Sequence, residues 1–218
     1  MKKIFLLLAI FTSIIACKKD EGSKMPTPKE QSVIDDADII EYMQSHRFED
    51  YHVGKLPRNI DWKIIPVQDD DPEETQTLYD LMKDNVITTK YNDVDYKMYY
   101  YLKDEGKGNA ISSTDNVIVD YNLFYLYGSD MKERIDQTEL TVARFELSGL
   151  IEGWKLGLEK FKSGLKPADF PDTPTDKEYR KGLDTPGRGI LLIPSGLAYG
   201  SGVLRFDIVV YDNESVEE

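Results

Sequence analysis

Residues 187–211 restrict the fold more than any other part of the chain. They read Gly-Arg-Gly-Ile-Leu-Leu-Ile-Pro-Ser-Gly-Leu-Ala-Tyr-Gly-Ser-Gly-Val-Leu-Arg-Phe-Asp-Ile-Val-Val-Tyr. Residues 190–193 form a short apolar run with β-branched members, which suits a strand covered on both faces. Pro194 cannot donate to a ladder, so that strand should end there. Gly196, Gly200 and Gly202 punctuate a connection. A second strand resumes over 203–211, and its two-residue period puts Leu204, Phe206, Ile208 and Val210 on one face. The unit predicted is a strand, a turn and a buried strand.

At 218 residues the chain accommodates one large domain or a smaller domain with an appendage. Hydrophobic residues make up 40 %, enough for a core, and 14 tyrosines with 8 phenylalanines favour sheet. Lys and Arg total 27 against 40 Asp and Glu, a net charge of -13. Nucleic-acid binding needs clustered cations, so it is disfavoured; an acidic, soluble, monomeric surface is expected.

The N-terminus has the features of a processing signal. Lys2 and Lys3 precede an apolar run over 4–15, too short to span a bilayer comfortably, and Ala16 precedes Cys17, the only cysteine. Ser-Ile-Ile-Ala-Cys resembles a bacterial lipobox, with Cys17 as the lipidated residue. An ordinary secretory leader with an incidental cysteine is the plainer alternative, but a lone cysteine has no disulfide partner. Lipid chains would hold the mature protein on a membrane, at about 0.8 kcal/mol per buried methylene. The Lys-Lys-Asp-Glu tract at 18–21 resembles those of surface-exposed lipoproteins of the Bacteroidetes group, or is a solvated tether. Residues 17–34 are expected to be the lipidated cysteine and a flexible linker, since Gly22, Pro26 and Pro28 interrupt any apolar period.

Residues 35–44 predict a helix, with Asp35 or Asp36 as cap and Ile39, Ile40 and Met43 at helical spacing. His46 and His52 fit no metal-ligand motif and are expected on the surface; no metal site or cofactor is predicted. Residues 60–67 predict a strand with Trp62 and Ile64 inward. The acidic run Asp69-Asp70-Asp71-Pro72-Glu73-Glu74 lacks the calcium-loop alternation. It predicts a helix N-terminus with Asp71 as cap and Pro72 first, leading to Leu78, Leu81 and Met82. Strands are predicted over 86–91 and 94–102 around an Asn92-Asp93 turn.

From about residue 95 to 213 several segments occur in an order that carries a resemblance. Residues 115–124, Asp-Asn-Val-Ile-Val-Asp-Tyr-Asn-Leu-Phe, centre on Tyr121; Gly128 follows; residues 145–154, Phe-Glu-Leu-Ser-Gly-Leu-Ile-Glu-Gly-Trp, lead into a helix; and Ile-Pro-Ser-Gly-Leu-Ala-Tyr-Gly precedes Leu-Arg-Phe-Asp-Ile. Together these resemble FKBP-type peptidyl-prolyl cis-trans isomerases, in particular lipoprotein relatives of the gliding-motility-associated isomerases.

The resemblance implies an α+β fold, a twisted antiparallel sheet wrapped around one short helix at 154–162, with a small N-terminal appendage. It implies a domain at 95–213; an appendage at 35–94, the signal peptide at 1–16 and a tail at 214–218 complete the expected division. Residues 165–186 stand as an insertion, expected to be an irregular loop: a lid, a partner-binding loop or a surface excursion. Tyr121, Ile151, Trp154, Tyr199 and Phe206 are the implied catalytic pocket, with Leu150 and Met131 also contacting substrate. The Ile151 N–H and Tyr199 hydroxyl would bond substrate carbonyls. Two departures stand out: Met131-Lys132 where the family has Phe-Asp, reversing an acidic charge, and a near-absent overhanging loop after Tyr199-Gly200.

Rotation about an X-Pro bond crosses a barrier of about 18–20 kcal/mol and needs no nucleophile or metal. A dry aromatic pocket lowers it by favouring the twisted amide over the solvated planar one. The expected function is therefore an isomerase acting on proline-containing polypeptides outside the cytoplasm, as an outer-membrane lipoprotein facing the periplasm or cell surface. The alternative is a catalytically weak FKBP-like module that binds partners or aids folding.

Overall fold

The computed structural model describes the backbone of residues 25–50, 60–72, 74–127 and 130–215 and, within these, all side chains but those of 50, 127 and 130–133. Cys17, Gly128 and His52 lie outside the described residues, as do the side chains of Met131 and Lys132.

The architecture is α+β, as expected. A seven-stranded antiparallel sheet has the order β3 (Val86–Tyr91), β4 (Val94–Asp104), β8 (Gly187–Ile193), β9 (Val203–Glu214), β5 (Asn116–Tyr127), β6 (Asp130–Gln137), with β7 (Ala143–Glu146) also paired to β5. The 187–211 segment forms β8 and β9, paired from Gly187 opposite Val210 to Ile193 opposite Leu204. Asn92 and Asp93 both take positive φ, 48° and 64°, the geometry a two-residue hairpin needs. A boundary at 94/95 would cut this β3–β4 hairpin, so the sheet begins before the expected domain edge.

Alternation along β9 builds two cores. Leu204, Phe206, Ile208 and Val210 join Trp154, Leu158 and Phe161 on one side of the sheet. Val203, Val209 and Tyr211 face the other side. Helix α3 (Glu152–Leu158) lies against the first face. It comes close because two glycines one turn apart meet the sheet: a Cβ on Gly153 would sit 2.2 Å from Ile193 Cγ2, and one on Gly157 2.5 Å from Leu191 Cδ1. The helix is shorter than the 154–162 expected; Lys162 instead forms an isolated bridge with Ala110.

The second face is covered by parts of the chain outside that resemblance. Helix α1 (Pro28–Ser45) starts well before the expected 35, which corrects the flexible assignment of 28–34. Its start is a capping box: the Thr27 hydroxyl accepts from Glu30 N–H, the Glu30 carboxylate accepts from Thr27 N–H, and Pro28 is the first helical residue. Ile39, Tyr42 and Met43 are fully buried, each contributing roughly 1.5–3 kcal/mol of gross apolar burial. Helix α2 (Leu78–Met82) is capped by Thr77 with Asp80, not by Asp71. Asp71 instead accepts two hydrogen bonds from Arg47, both at 2.7 Å, so the acidic run ends in an ion pair. Strands β1 (His46–Asp50) and β2 (Trp62–Pro66) form a separate ribbon. Trp62 and Ile64 are buried in the same core. His46, expected at the surface, is buried beneath the Tyr42 ring at 4.1 Å, with Nδ1 3.0 Å from the Tyr42 carbonyl.

The 165–186 insertion is not wholly irregular. It contains α4 (Asp176–Gly182), opened by a Thr175/Glu178 capping box. Tyr179 and Leu183 pack into the second core. Arg180 is clamped to Asp120 of β5 through Nε and Nη2, both 2.8 Å, and the Tyr211 hydroxyl donates to the same carboxylate at 2.8 Å. The insertion is thus fastened across the sheet from α3, and a lid role over α3's side has no support in these contacts.

Candidate functional site

A cavity of about 170 Å³ opens on the α3 side of the sheet, lined by Tyr121, Leu123, Asp136, Phe145, Leu150, Ile151, Trp154, Tyr199 and Phe206. An apolar cavity of about 150 Å³ admits a benzene ring, so this one has room for a five-membered ring. Strand register explains the convergence. Leu123 of β5 lies opposite Phe206 of β9 on one side and Asp136 of β6 on the other, so all three side chains share a face. Tyr121, two residues before Leu123, shares it too. β7 lies along β5 and delivers Phe145.

The rings form a cluster. Trp154, carried by α3, meets Phe206 at 5.1 Å, Phe145 at 5.3 Å and Tyr121 at 5.8 Å, with interplanar angles of 81°, 86° and 88°. Tyr121 also lies 6.2 Å from Phe206. Edge-to-face contacts of this kind add roughly 0.5–1.5 kcal/mol each and fix ring orientation. Trp154 and Phe206 are both buried, whereas Tyr199 is 63 % exposed and forms the rim.

Two polar groups organise the wall. The Tyr121 hydroxyl donates to Asp136 Oδ2 at 2.5 Å. Burial, then this bond and the carboxylate's charge, push the hydroxyl well above the ordinary tyrosine range, so it stays protonated at any physiological pH. An acidic side chain, Asp136, thus lines the cavity four positions after Lys132. Pairing of β6 with β5 sets Asp136 opposite Leu123, in a hairpin whose register shifts between Leu123 and Phe124 and again before Leu126. The Ile151 N–H makes no hydrogen bond to another described residue, because Ile151 is the N-cap of α3 and its amide precedes the helical ladder. The Tyr199 hydroxyl is equally without a partner among the described residues.

The structure thus places Tyr121, Leu150, Ile151, Trp154, Tyr199 and Phe206 around one cavity. Sequence reasoning did not single out Leu123, Asp136 or Phe145 as site residues. Leu123 was recoverable from period two, since it follows Tyr121 by two; Phe145 was visible as the aromatic opening the 145–154 segment. The turn after Tyr199 is as short as expected: β9 begins at Val203, and Gly200 and Gly202 take φ of 80° and 76° to make the reversal.

No family model matches the sequence, and no curated protein matches it. Among solved structures, the chain is similar to FkpA from Escherichia coli, at 24 % identity and a TM-score of 0.40, over 60 % of this chain and 53 % of that one. It is similar to a peptidyl-prolyl cis-trans isomerase from Pseudomonas syringae pv. tomato, at 19 % identity and a TM-score of 0.40, over 59 % and 81 %. It is also similar to the N-terminal domain of FKBP42 from Arabidopsis thaliana, at 14 % identity and a TM-score of 0.39, over 54 % and 87 %. The chain spans about half the length of the FkpA chain it matches.

Proposed function

We propose that this chain is an FKBP-type peptidyl-prolyl cis-trans isomerase. The observation that carries the reading is the convergence of Tyr121, Phe145, Trp154 and Phe206 on one small cavity with an unspent backbone donor, Ile151 N–H, at its mouth. The proline ring enters edge-on to the aromatic walls and loses its water. The Ile151 N–H and the Tyr199 hydroxyl hold carbonyls on either side of the rotating bond. The amide between them twists out of plane, and the pocket favours that state because it no longer needs the solvation of the planar amide. Tyr121 and Asp136 satisfy each other, so neither presents an unmet polar group to the ring.

The test is cis-trans relaxation of a short proline peptide with the purified chain. Acceleration by wild type and its loss in Trp154→Leu, at unchanged circular dichroism, supports the reading; absence of acceleration by wild type overturns it. A second reading, a binding module with slow turnover, is favoured by the short turn at 199–203 and the exposed Tyr199 rim, which leave the cavity mouth wet. Saturable proline-peptide binding without acceleration distinguishes it.

The tether belongs to the same proposal and rests on the sequence around Cys17. Tethered through an N-terminal lipid, the domain would act on polypeptides outside the cytoplasm, on a bacterial outer membrane. Among the described residues, no helix is long and apolar enough to cross a membrane. Incorporation of a labelled lipid precursor, abolished by Cys17→Ala, checks the attachment; cell fractionation checks the membrane.

A further inference from the structure

The rim residue Tyr199 is held from an unexpected direction. Ser195 opens the tight turn Ser195–Leu197 that follows β8, four residues ahead of Tyr199. Ser195 is buried, and so is Asp35 of α1, at 1 % exposure. Asp35 Oδ2 accepts from Ser195 N–H at 2.8 Å and from the Ser195 hydroxyl at 2.6 Å, while Oδ1 accepts from the Gln31 amide at 2.8 Å. The Ser195 carbonyl then accepts from Ala198 N–H at 3.1 Å and Gly200 N–H at 2.9 Å, the two residues that flank Tyr199. A continuous run of hydrogen bonds therefore joins the N-terminal helix to the backbone on both sides of the rim tyrosine. Packing adds a second constraint, since a Cβ on Gly196 would lie 2.2 Å from the Tyr96 hydroxyl.

This connection has the chemistry of a clamp. A buried carboxylate is costly unless its lone pairs are met. Here they are met by donors that include both groups of one serine, and bonds to a charged acceptor are shorter and stronger than neutral ones. Tyr199 itself is mostly exposed, so contacts of its ring do little to fix the turn. We propose that Asp35 is a positioning residue for the pocket: through Ser195 it holds the 195–200 turn so that the Tyr199 hydroxyl stands where it meets a substrate carbonyl. The inference rests on the isomerase reading for its activity readout and on the turn's own dynamics otherwise.

The experiment compares Asp35→Ala, Ser195→Ala, the double variant and Lys97→Ala. Lys97 ties α1 to β4 through Asp36 at 2.8 Å, a partly exposed ion pair with no hydrogen bond to the turn, and serves as the control. Isomerisation kinetics are measured beside amide hydrogen exchange. Asp35→Ala lowers kcat/KM about tenfold, because displacing a substrate contact by a fraction of an ångström has effects of this order. The Ala198 and Gly200 amides exchange about tenfold faster, with β9 amides unchanged. The double variant is no worse than Asp35→Ala alone, since both remove one interaction. Asp35→Asn, which keeps an acceptor oxygen, recovers most of both readouts, and Lys97→Ala changes neither. Should Asp35→Ala not fold, Ser195→Ala carries the comparison, because it leaves the α1 core intact. Wild-type exchange at Ala198 and Gly200, exchange raised equally across β9, or local loosening with undiminished kcat/KM each overturns the proposal. Absence of wild-type acceleration instead overturns the isomerase reading, and the exchange pattern then still decides whether Asp35 holds the turn.

Discussion

The two faces of the sheet are built from the same strands but by different chemistry. The α3 face is apolar and aromatic, with a cavity at one end and one polar pair, Tyr121 with Asp136, at its wall. The opposite face buries charge. Arg205 and Asp207 of β9 lie beneath α1, with Arg205 Nε 3.1 Å from Asp207 Oδ1, Nη1 donating to the Tyr42 hydroxyl at 2.6 Å, and the guanidinium 3.9 Å from the centre of the Phe124 ring. Asp120, Arg180 and Tyr211 form a second buried network under α4. Apolar packing tolerates a vacancy that a ligand can fill, whereas buried ions require each partner in place. The molecule keeps its candidate site on the face that can be left partly empty, and uses the demanding face to dock its added elements in one register.

The sharpest way to break this contrast is Asp120→Ala. It removes the carboxylate that pairs with Arg180, whose side chain is 6 % exposed, and that accepts from the Tyr211 hydroxyl. Removing one member of a buried pair costs about 3–5 kcal/mol. Urea unfolding should show that loss, while isomerisation measured at a temperature where the variant stays folded should remain within twofold of wild type. The double replacement Asp120→Leu with Arg180→Met should recover most of the stability, because two apolar groups leave no uncompensated charge. Equal destabilisation by the single and double variants would show that the network is not electrostatically organised. A smaller effect on the same face is expected from Tyr42→Phe, which takes one acceptor from Arg205 and should cost about 1.5–3 kcal/mol, the range for a bond to a charged group.

The same contrast explains what could be anticipated from residues alone. The α3 face was legible because its pattern is local: period two along 203–211, the proline that ends β8, and the 145–154 segment that leads into the helix. The demanding face was not. Asp35 looks like a helix cap until Thr27 is known to cap α1, and nothing local to Ser195 says that its partner lies 160 residues away. Arg180 sits in a proline-rich segment, and only tertiary contact shows it to be buried. The Thr27-Pro28-Lys29-Glu30 capping box was present in the sequence, but Pro26 and Pro28 favoured a linker. Asp136 escaped because β-bulges shift register, and register is a property of paired strands rather than of one.

The smallest expected effect concerns tyrosine ionisation, and it tests both faces at once. Burial is the leading cause raising the hydroxyl pKa of Tyr42, Tyr99 and Tyr179 on the charged face and of Tyr96 and Tyr121 on the other. An unfolded chain releases these protons near pH 10, while the folded chain retains them. The folded state then binds more protons, so stability present below about pH 10 declines as pH rises through the elevated values. Tyr121→Phe removes one contributor and also the bond to Asp136. At neutral pH it should cost under about 1 kcal/mol, because that bond is open to solvent. Above pH 10 the variant should lose stability slightly less steeply than wild type. Tyr42→Phe should flatten the alkaline decline by a similar slope, because each hydroxyl that stays protonated in the folded chain above pH 10 adds one proton to the difference between the two states. If Tyr42→Phe leaves the alkaline decline as steep as in wild type, burial on the charged face is not what holds that tyrosine protonated.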